Sequence, residues 1–160
     1  YVPFEGVSLH KAEDDTLVID APYIGVESLK TNDIVEFNSD NSFTVIGRAV
    51  NIINSGGIKI QIEMLEEMIR DSISCDFNIT SVASDKYGET VCLLLGGAEA
   101  YSAELKDEDI LVPLKKKVPK YWEPKLILRT ANLPRTESGK PARAKLKALA
   151  RELYQEQQNL

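Results

Sequence analysis

Apolar residues along the 160-residue chain keep one period near the start and another later on. In the first 46 positions they come as short β-branched runs, "TLVID" (16–20), "DIVEF" (33–37) and "SFTVIG" (42–47), separated by Asp, Asn, Ser and Pro clusters. Such runs predict strands, and "NSDNS" (38–42) between two of them predicts a hairpin loop. From Arg48 the character changes. "VNIIN" and "IKIQI" flank "SGG", after which Ile62, Leu65, Ile69 and Ile73 fall on one helical face. Two further strands, "FNITSVAS" (77–84) and "TVCLLLGG" (90–97), are joined by the turn-like "DKYGE".

In "SAELKDEDILVPLKKKVPKYWEPK" (102–125), Ile110, Leu111, Leu114 and Val118 recur at helical spacing, and Pro113 is expected to start, kink or split that helix. "KLILRTANL" (125–133) reads as a strand. Leu146, Leu149, Ala150 and Leu153 mark a last amphipathic helix, expected to fray into "QEQQNL". These elements predict an α+β chain. A small β-rich N-terminal remnant, residues 1–47, precedes a compact domain, 48–160, with a small sheet and flanking helices.

Composition narrows the function classes. Hydrophobic residues make up 43% and charged residues 28%, ordinary for a globular protein. A net charge of −6 argues against a nucleic-acid partner, whose phosphates call for a basic surface. No apolar run approaches the roughly 20 residues that span a bilayer. The chain opens without methionine, at "YVPFEGVSLH", and reads as a piece of something longer. Cys75 and Cys92 each lie in an apolar, strand-like run and read as two buried thiols, with no zinc or redox spacing. His10 has no companions for a metal site, so no metal ligands are assigned. A reducing, cytoplasmic setting follows as the default.

Three stretches carry candidate chemistry. The first is "LPRTESGK" (133–140), directly before the last helical pattern. Gly139 lets the backbone bend and leaves room for a ligand, while the Thr136 and Ser138 hydroxyls can hold the loop closed or meet phosphate oxygens. Lys140 is a flexible point charge suited to an oxygen on which negative charge is growing. Pro141 pre-sets the backbone for the helix start. The pattern is not a Walker loop, since no Ser or Thr follows the lysine. Taken alone, such a turn reads more readily as a solvated loop than as a site. The second stretch is "IGRAVNIINSGGIKIQIEMLEEMI" (46–69), whose paired glycines by themselves mean a tight turn and whose Arg48 a surface charge. The third is "TNDIVEF" (31–37), where Asp33 is a turn former or an acceptor for a sugar diol.

In this order and spacing, the three resemble the C-terminal third of the AMP-forming acyl-CoA synthetase superfamily, which includes nonribosomal peptide adenylation domains and firefly luciferase. "TNDIV" resembles the family's Thr-Gly-Asp motif, with Asn32 in the glycine's place. "GRAVNIINSGGIKI" resembles its Gly-Arg hinge and glycine-rich turn. "LPRTESGK" resembles its closing catalytic loop, and "KYWEPK" the Tyr-x-x-Pro upstream of it. The resemblance covers nearly the whole chain.

That resemblance implies a lid domain and a role for each stretch. Asp33 would bind the ribose hydroxyls of ATP and of the acyl-adenylate, and Arg48 the ribose or phosphate. Lys140 would bridge the α-phosphate and the substrate carboxylate during adenylation, with Thr136, Ser138 and Gly139 supporting its loop. Ser55, Gly56 and Gly57 would line the passage for the CoA pantetheine. ATP and CoA are the implied cosubstrates, with Mg2+ held mainly by the nucleotide and a missing N-terminal domain. That domain, of the same chain, and a carboxylic acid are the implied partners, and this piece alone is expected to be inactive. Val50 stands at the hinge where the family often has Asp or Lys. Met64 replaces a common glutamate, while Glu66 keeps the next acidic position. "INSGGIKIQ" followed by an acidic helix is most similar to o-succinylbenzoate–CoA ligases of menaquinone biosynthesis. Two alternatives stay open: an adenylation domain that loads a carrier protein, and a solitary non-catalytic module of the same fold.

Overall fold

The computed structural model describes residues 1–102 and 105–159; Ala103 and Glu104, within the 102–125 stretch, and Leu160 lie outside the described residues. The chain divides into two compact units, Tyr1–Ile52 and Ile53–Leu160.

The first unit is a four-stranded antiparallel sheet in the order β1 (Ser8–Lys11), β2 (Thr16–Ala21), β3 (Val26–Phe37), β4 (Phe43–Arg48). A boundary after residue 47 would lie one residue before the end of β4, whereas the compact units divide after Ile52. Thr16, Leu17, Val18, Ala21 and Val35 are buried, so the β-branched runs read from the sequence supply the unit's interior. Two strand segments carry no such signal. β1 and the first half of β3 ("VESLKT") are polar and largely exposed, and their extended form comes from pairing on either side of β2. Asn32 lies inside β3 with an ordinary negative φ, so the backbone there has no need of a glycine.

The second unit is a five-stranded sheet covered on both faces. Its strands are β5 (Ile52–Ser55), β6 (Ile58–Gln61), β7 (Asp76–Ser84), β8 (Gly88–Gly96) and β9 (Leu126–Thr130). β8 is central: β7 runs antiparallel along one edge, while β9, in parallel, and β5, near Gly88, share the other. Alternate residues of β8 serve opposite cores. Val91, Leu93 and Leu95 meet the residues of α1 (Ile62–Ile69) and α2 (Asp107–Lys117), whereas Cys92 and Leu94 meet those of α3 (Arg143–Gln158). A strand buried on both faces reads as an unbroken apolar run, as "VCLLL" does.

Four sequence expectations are corrected here. α2 runs through Pro113 without starting or splitting there. Pro113 and Asp109, whose carbonyl loses its donor to the proline, are both exposed residues, where the loss is least costly. Ile73 is not on α1, which ends at Ile69 and is followed by a short 3-10 turn, Arg70–Ser72. α3 stays helical through "QEQQ" to Gln158. Cys75 precedes β7 and is half-buried, while Cys92 is buried in β8, where burial pushes its thiol up to about 12.

Candidate functional site

The lysine stretch folds into a narrow hairpin between β9 and α3. Arg135 bridges Pro141 in antiparallel fashion, Thr136 N–H donates to the Lys140 carbonyl at 2.8 Å, and Ala142 N–H donates to the Pro134 carbonyl at 3.0 Å. Gly139 N–H returns to the Thr136 carbonyl at 2.9 Å, with Gly139 at φ +79°, a conformation that disfavours any side chain. The hydroxyls act inside the loop. Thr136 Oγ1 accepts from Lys140 N–H at 3.2 Å and lies 3.0 Å from Ser138 Oγ. Lys140 itself is exposed, and its ammonium has no ion-pair or hydrogen-bond partner among the described residues. The hairpin thus spends its backbone and hydroxyl groups on itself and leaves one cation projecting.

Both ends of the hairpin are fastened by arginines that sequence reasoning passed over. Arg135 makes a two-oxygen contact with Asp76, the first residue of β7. Arg143, the first residue of α3, meets Glu66 of α1 with two parallel bonds, Nη1 to Oε1 and Nη2 to Oε2, each 2.7 Å. Glu66 is only 8% exposed, and it also accepts from Ile79 N–H at 2.8 Å and Asn78 Nδ2 at 3.1 Å. Burial works against the Arg143 charge, but the Glu66 bonds outweigh it and hold the guanidinium pKa up. The one sequence signal was Glu66, noted as an acidic position. Its partner lies 77 residues away.

The glycine turn, Ser55–Gly57, joins β5 to β6 in the same unit. Gly56 and Gly57 have φ of +59° and +84°, so the turn requires them, and a Cβ on Gly56 would come within 3.3 Å of the Tyr87 ring. Gly56 N–H donates to the Tyr87 carbonyl at 2.8 Å and Ser55 pairs with Gly88, so the β7–β8 hairpin braces the turn. Beside it, Glu89 accepts from Lys147 Nζ at 2.6 Å, Ser81 Oγ at 2.7 Å and Asn54 N–H at 2.9 Å. Burial opposes the Glu89 charge, but these three donors prevail and its carboxyl titrates below the usual value of 4.5. A folded-state pKa below the unfolded one contributes stability above the unfolded value and loses it as pH falls through the folded value. Glu89→Gln is therefore expected to lower the urea midpoint at neutral pH, with the gap to wild type closing as pH drops below 4.5. A gap independent of pH would contradict this assignment.

Asp33 and Arg48 belong to the first unit and face each other across β3 and β4, with Arg48 Nε 3.2 Å from Asp33 Oδ1. Asp33 N–H donates to Thr31 Oγ1 at 3.1 Å. Both side chains keep more than a third of their surface open. Val50 is 70% exposed, in the short 3-10 turn Ala49–Asn51, two residues before the division between the units. The structure brings Asp33 and Arg48 together in one unit and carries Lys140 and the glycine turn in the other. Among the described residues no group of three or more His, Cys, Asp or Glu side chains is placed to hold a metal ion, and no helix is long and apolar enough to cross a membrane.

No family model matches the chain. Sequence comparison finds the peroxisomal trans-cinnamate:CoA ligase of Petunia hybrida, 27% identical over 76% of this chain and 21% of that protein. The oxalate–CoA ligase of Arabidopsis thaliana is 31% identical over 69% of this chain and 21% of its own length. The beauvericin nonribosomal cyclodepsipeptide synthetase of Gibberella fujikuroi is 26% identical over 83% of this chain and 5% of that one. Among solved structures, an acyl-CoA synthetase (AMP-forming)/AMP-acid ligase II-like protein from Dyadobacter fermentans is 26% identical, with a TM-score of 0.55 over 91% of this chain and 42% of that one. Together these support the AMP-forming acyl-CoA ligase superfamily. The fold agrees. An o-succinylbenzoate CoA synthetase from Bacillus subtilis superposes with a TM-score of 0.76 at 18% identity, covering 91% of this chain and 34% of its own. The two sheets and three α-helices of the described residues also superpose on an ATP-bound RpMatB-BxBclM chimera, with a TM-score of 0.77 at 16% identity over 96% of this chain and 36% of that one. The chain spans about a fifth of the length of the two plant ligases it matches.

Proposed function

We propose that this chain is the C-terminal lid portion of an ATP-dependent, AMP-forming acid–CoA ligase, with residues 1–47 ending the large adenylating domain and 48–160 forming the lid. The reading rests above all on the exposed ammonium of Lys140, which has no hydrogen-bond or ion-pair partner among the described residues and projects from a hairpin whose threonine and serine hydroxyls bond within the loop. A carboxylate attacking the α-phosphate of ATP brings two anions together. A cation placed between them lowers the barrier, because it offsets charge that is most crowded in the transition state.

Asp33 is assigned to the ribose diol, which has to compete with the Arg48 contact, and Arg48 to the ribose or phosphate. The glycine turn is assigned to the pantetheine arm, where side chains would obstruct passage. Val50 is the pivot between the two uses of the lid. Magnesium would enter with the nucleotide. Cys75 and Cys92, both free thiols, support a reducing, cytoplasmic setting. For the acid we favour o-succinylbenzoate, on the "INSGGIKIQ" segment and the acidic helix after it. The similarity to a nonribosomal synthetase supports a second reading, transfer to a carrier protein instead of CoA.

Acid-dependent ATP–pyrophosphate exchange by the full-length protein tests the first half-reaction, with o-succinylbenzoate, cinnamate and oxalate compared as acids. Thioester formation is then followed with CoA and with a phosphopantetheinyl carrier protein as rival acceptors. Exchange with o-succinylbenzoate and transfer to CoA is the expected result. Exchange with another acid changes the substrate, transfer to the carrier alone selects the second reading, and no exchange with any carboxylic acid removes both.

A further inference from the structure

The bonds inside the lysine hairpin close a turn, but they do not decide where that turn points. A hairpin held only at its two stems can tilt as a body about Leu133 and Ala142. The Arg135 guanidinium removes that freedom. Its Nη2 donates to both carboxylate oxygens of Asp76, at 2.8 and 2.7 Å, while Nη1 donates to the Gly139 carbonyl at 3.2 Å. Asp76 opens β7, and β7 is hydrogen-bonded to β8 over its whole length. Gly139 immediately precedes Lys140. One planar group therefore ties the rim of the sheet to the peptide that carries the lysine.

We propose that Arg135 is a positioning residue for Lys140, fixing through the Gly139 carbonyl the direction in which the ammonium leaves the hairpin. The inference rests on the adenylation role given above to Lys140 and adds to it the device that aims the charge. Two features favour aiming over simple support. The Arg135 and Asp76 side chains are 41% and 53% exposed, and an ion pair so open to water contributes little to stability. The contact also needs a fork: a guanidinium can donate in fixed directions to a carboxylate and a carbonyl at once, whereas a lysine ammonium on a flexible stem cannot hold both.

The test uses the full-length ligase with Lys140→Ala, Arg135→Ala, Arg135→Lys and Asp76→Asn. Adenylation is read as acid-dependent pyrophosphate release, and thioesterification as CoA acylation from supplied acyl-adenylate. A misplacement of about 1 Å at a reacting group costs on the order of 10²-fold in rate. Arg135→Ala is expected to lower the kcat of adenylation by about 10- to 100-fold, leaving the KM for ATP and the thioester step unchanged. Arg135→Lys is expected not to rescue it. Asp76→Asn, which removes the charge and one of the two acceptor oxygens, is expected to reproduce part of the defect without adding to it in the double variant. Recovery of rate in Arg135→Lys would reduce the residue to a bare charge and overturn the proposal, as would equal loss in both half-reactions. Normal adenylation in Arg135→Ala, beside a crippled Lys140→Ala, would overturn it alone. Normal adenylation in Lys140→Ala would instead remove the reading on which it rests.

Discussion

Lys140→Ala in the full-length protein is expected, on the adenylation role proposed for it, to slow acyl-adenylate formation by about 10²- to 10³-fold, the usual cost of deleting one preorganised charge donor, roughly 3–4 kcal/mol of transition-state stabilisation. Conversion of supplied acyl-adenylate to the thioester is expected to continue at the wild-type rate. The asymmetry follows from the geometry. Lys140 sits on the hairpin after β9, the glycine turn joins β5 to β6, and the two make separate sets of hydrogen bonds. Truncation at 140 removes an exposed side chain that makes no hydrogen bond or ion pair among the described residues, so little change in stability is expected. Lys140→Arg is expected to recover little, because a broad planar guanidinium does not take the place of a compact ammonium between two oxyanions. Equal losses in both half-reactions would place the defect in folding or closure instead of charge.

The largest expected effect on stability lies at Glu66. Replacing it by alanine leaves the partly buried Arg143 guanidinium with only the longer 3.6 Å contact to Glu63, and also strips Ile79 N–H and Asn78 Nδ2 of their acceptor. Breaking a buried pair from one side costs about 3–5 kcal/mol. A whole domain is stable by only about 5–15 kcal/mol, so Glu66→Ala is expected to shift the urea midpoint far to the left with little change in slope. Replacing both partners by apolar residues of similar volume, Glu66→Met with Arg143→Leu, is expected to be milder than the single change, since only the part-exposed Glu63 then loses a partner. A double variant as damaged as Glu66→Ala would mean that the backbone bond to Ile79, and not the ion pair, carries the effect.

The parts of this fold that were readable in the sequence are those where burial imposes a period. "VCLLL" announced β8 because both of its faces are covered, and the Ile62–Leu65–Ile69 spacing announced α1 because one face is. "VESLKT" and "SLHK" announced nothing. Their side chains stay largely in water, and only pairing with β2 extends them. Pro113 misled for a related reason, since the rule against interior proline assumes that the orphaned carbonyl is costly, and an exposed one is not. The lysine loop was legible from its composition, with Gly139 at a position where the backbone demands it. Its fastenings were not. Arg135 and Asp76 are 59 residues apart, Arg143 and Glu66 77, and a single ion pair across such distances leaves no local periodicity to read.

Asp76, Glu66, Glu63 and the carbonyls of Ile79 and Gly139, the groups that receive the two arginines, all lie within Ile53–Leu160. Among the described residues, the hairpin's hydrogen-bond and ion-pair anchors all come from that segment. Its aim is consequently an inherited property of the block, carried along whenever the segment is recombined. Grafted onto a foreign adenylating body, the cassette brings its charge already oriented, and the designer has only the receiving surface and the joint to fit.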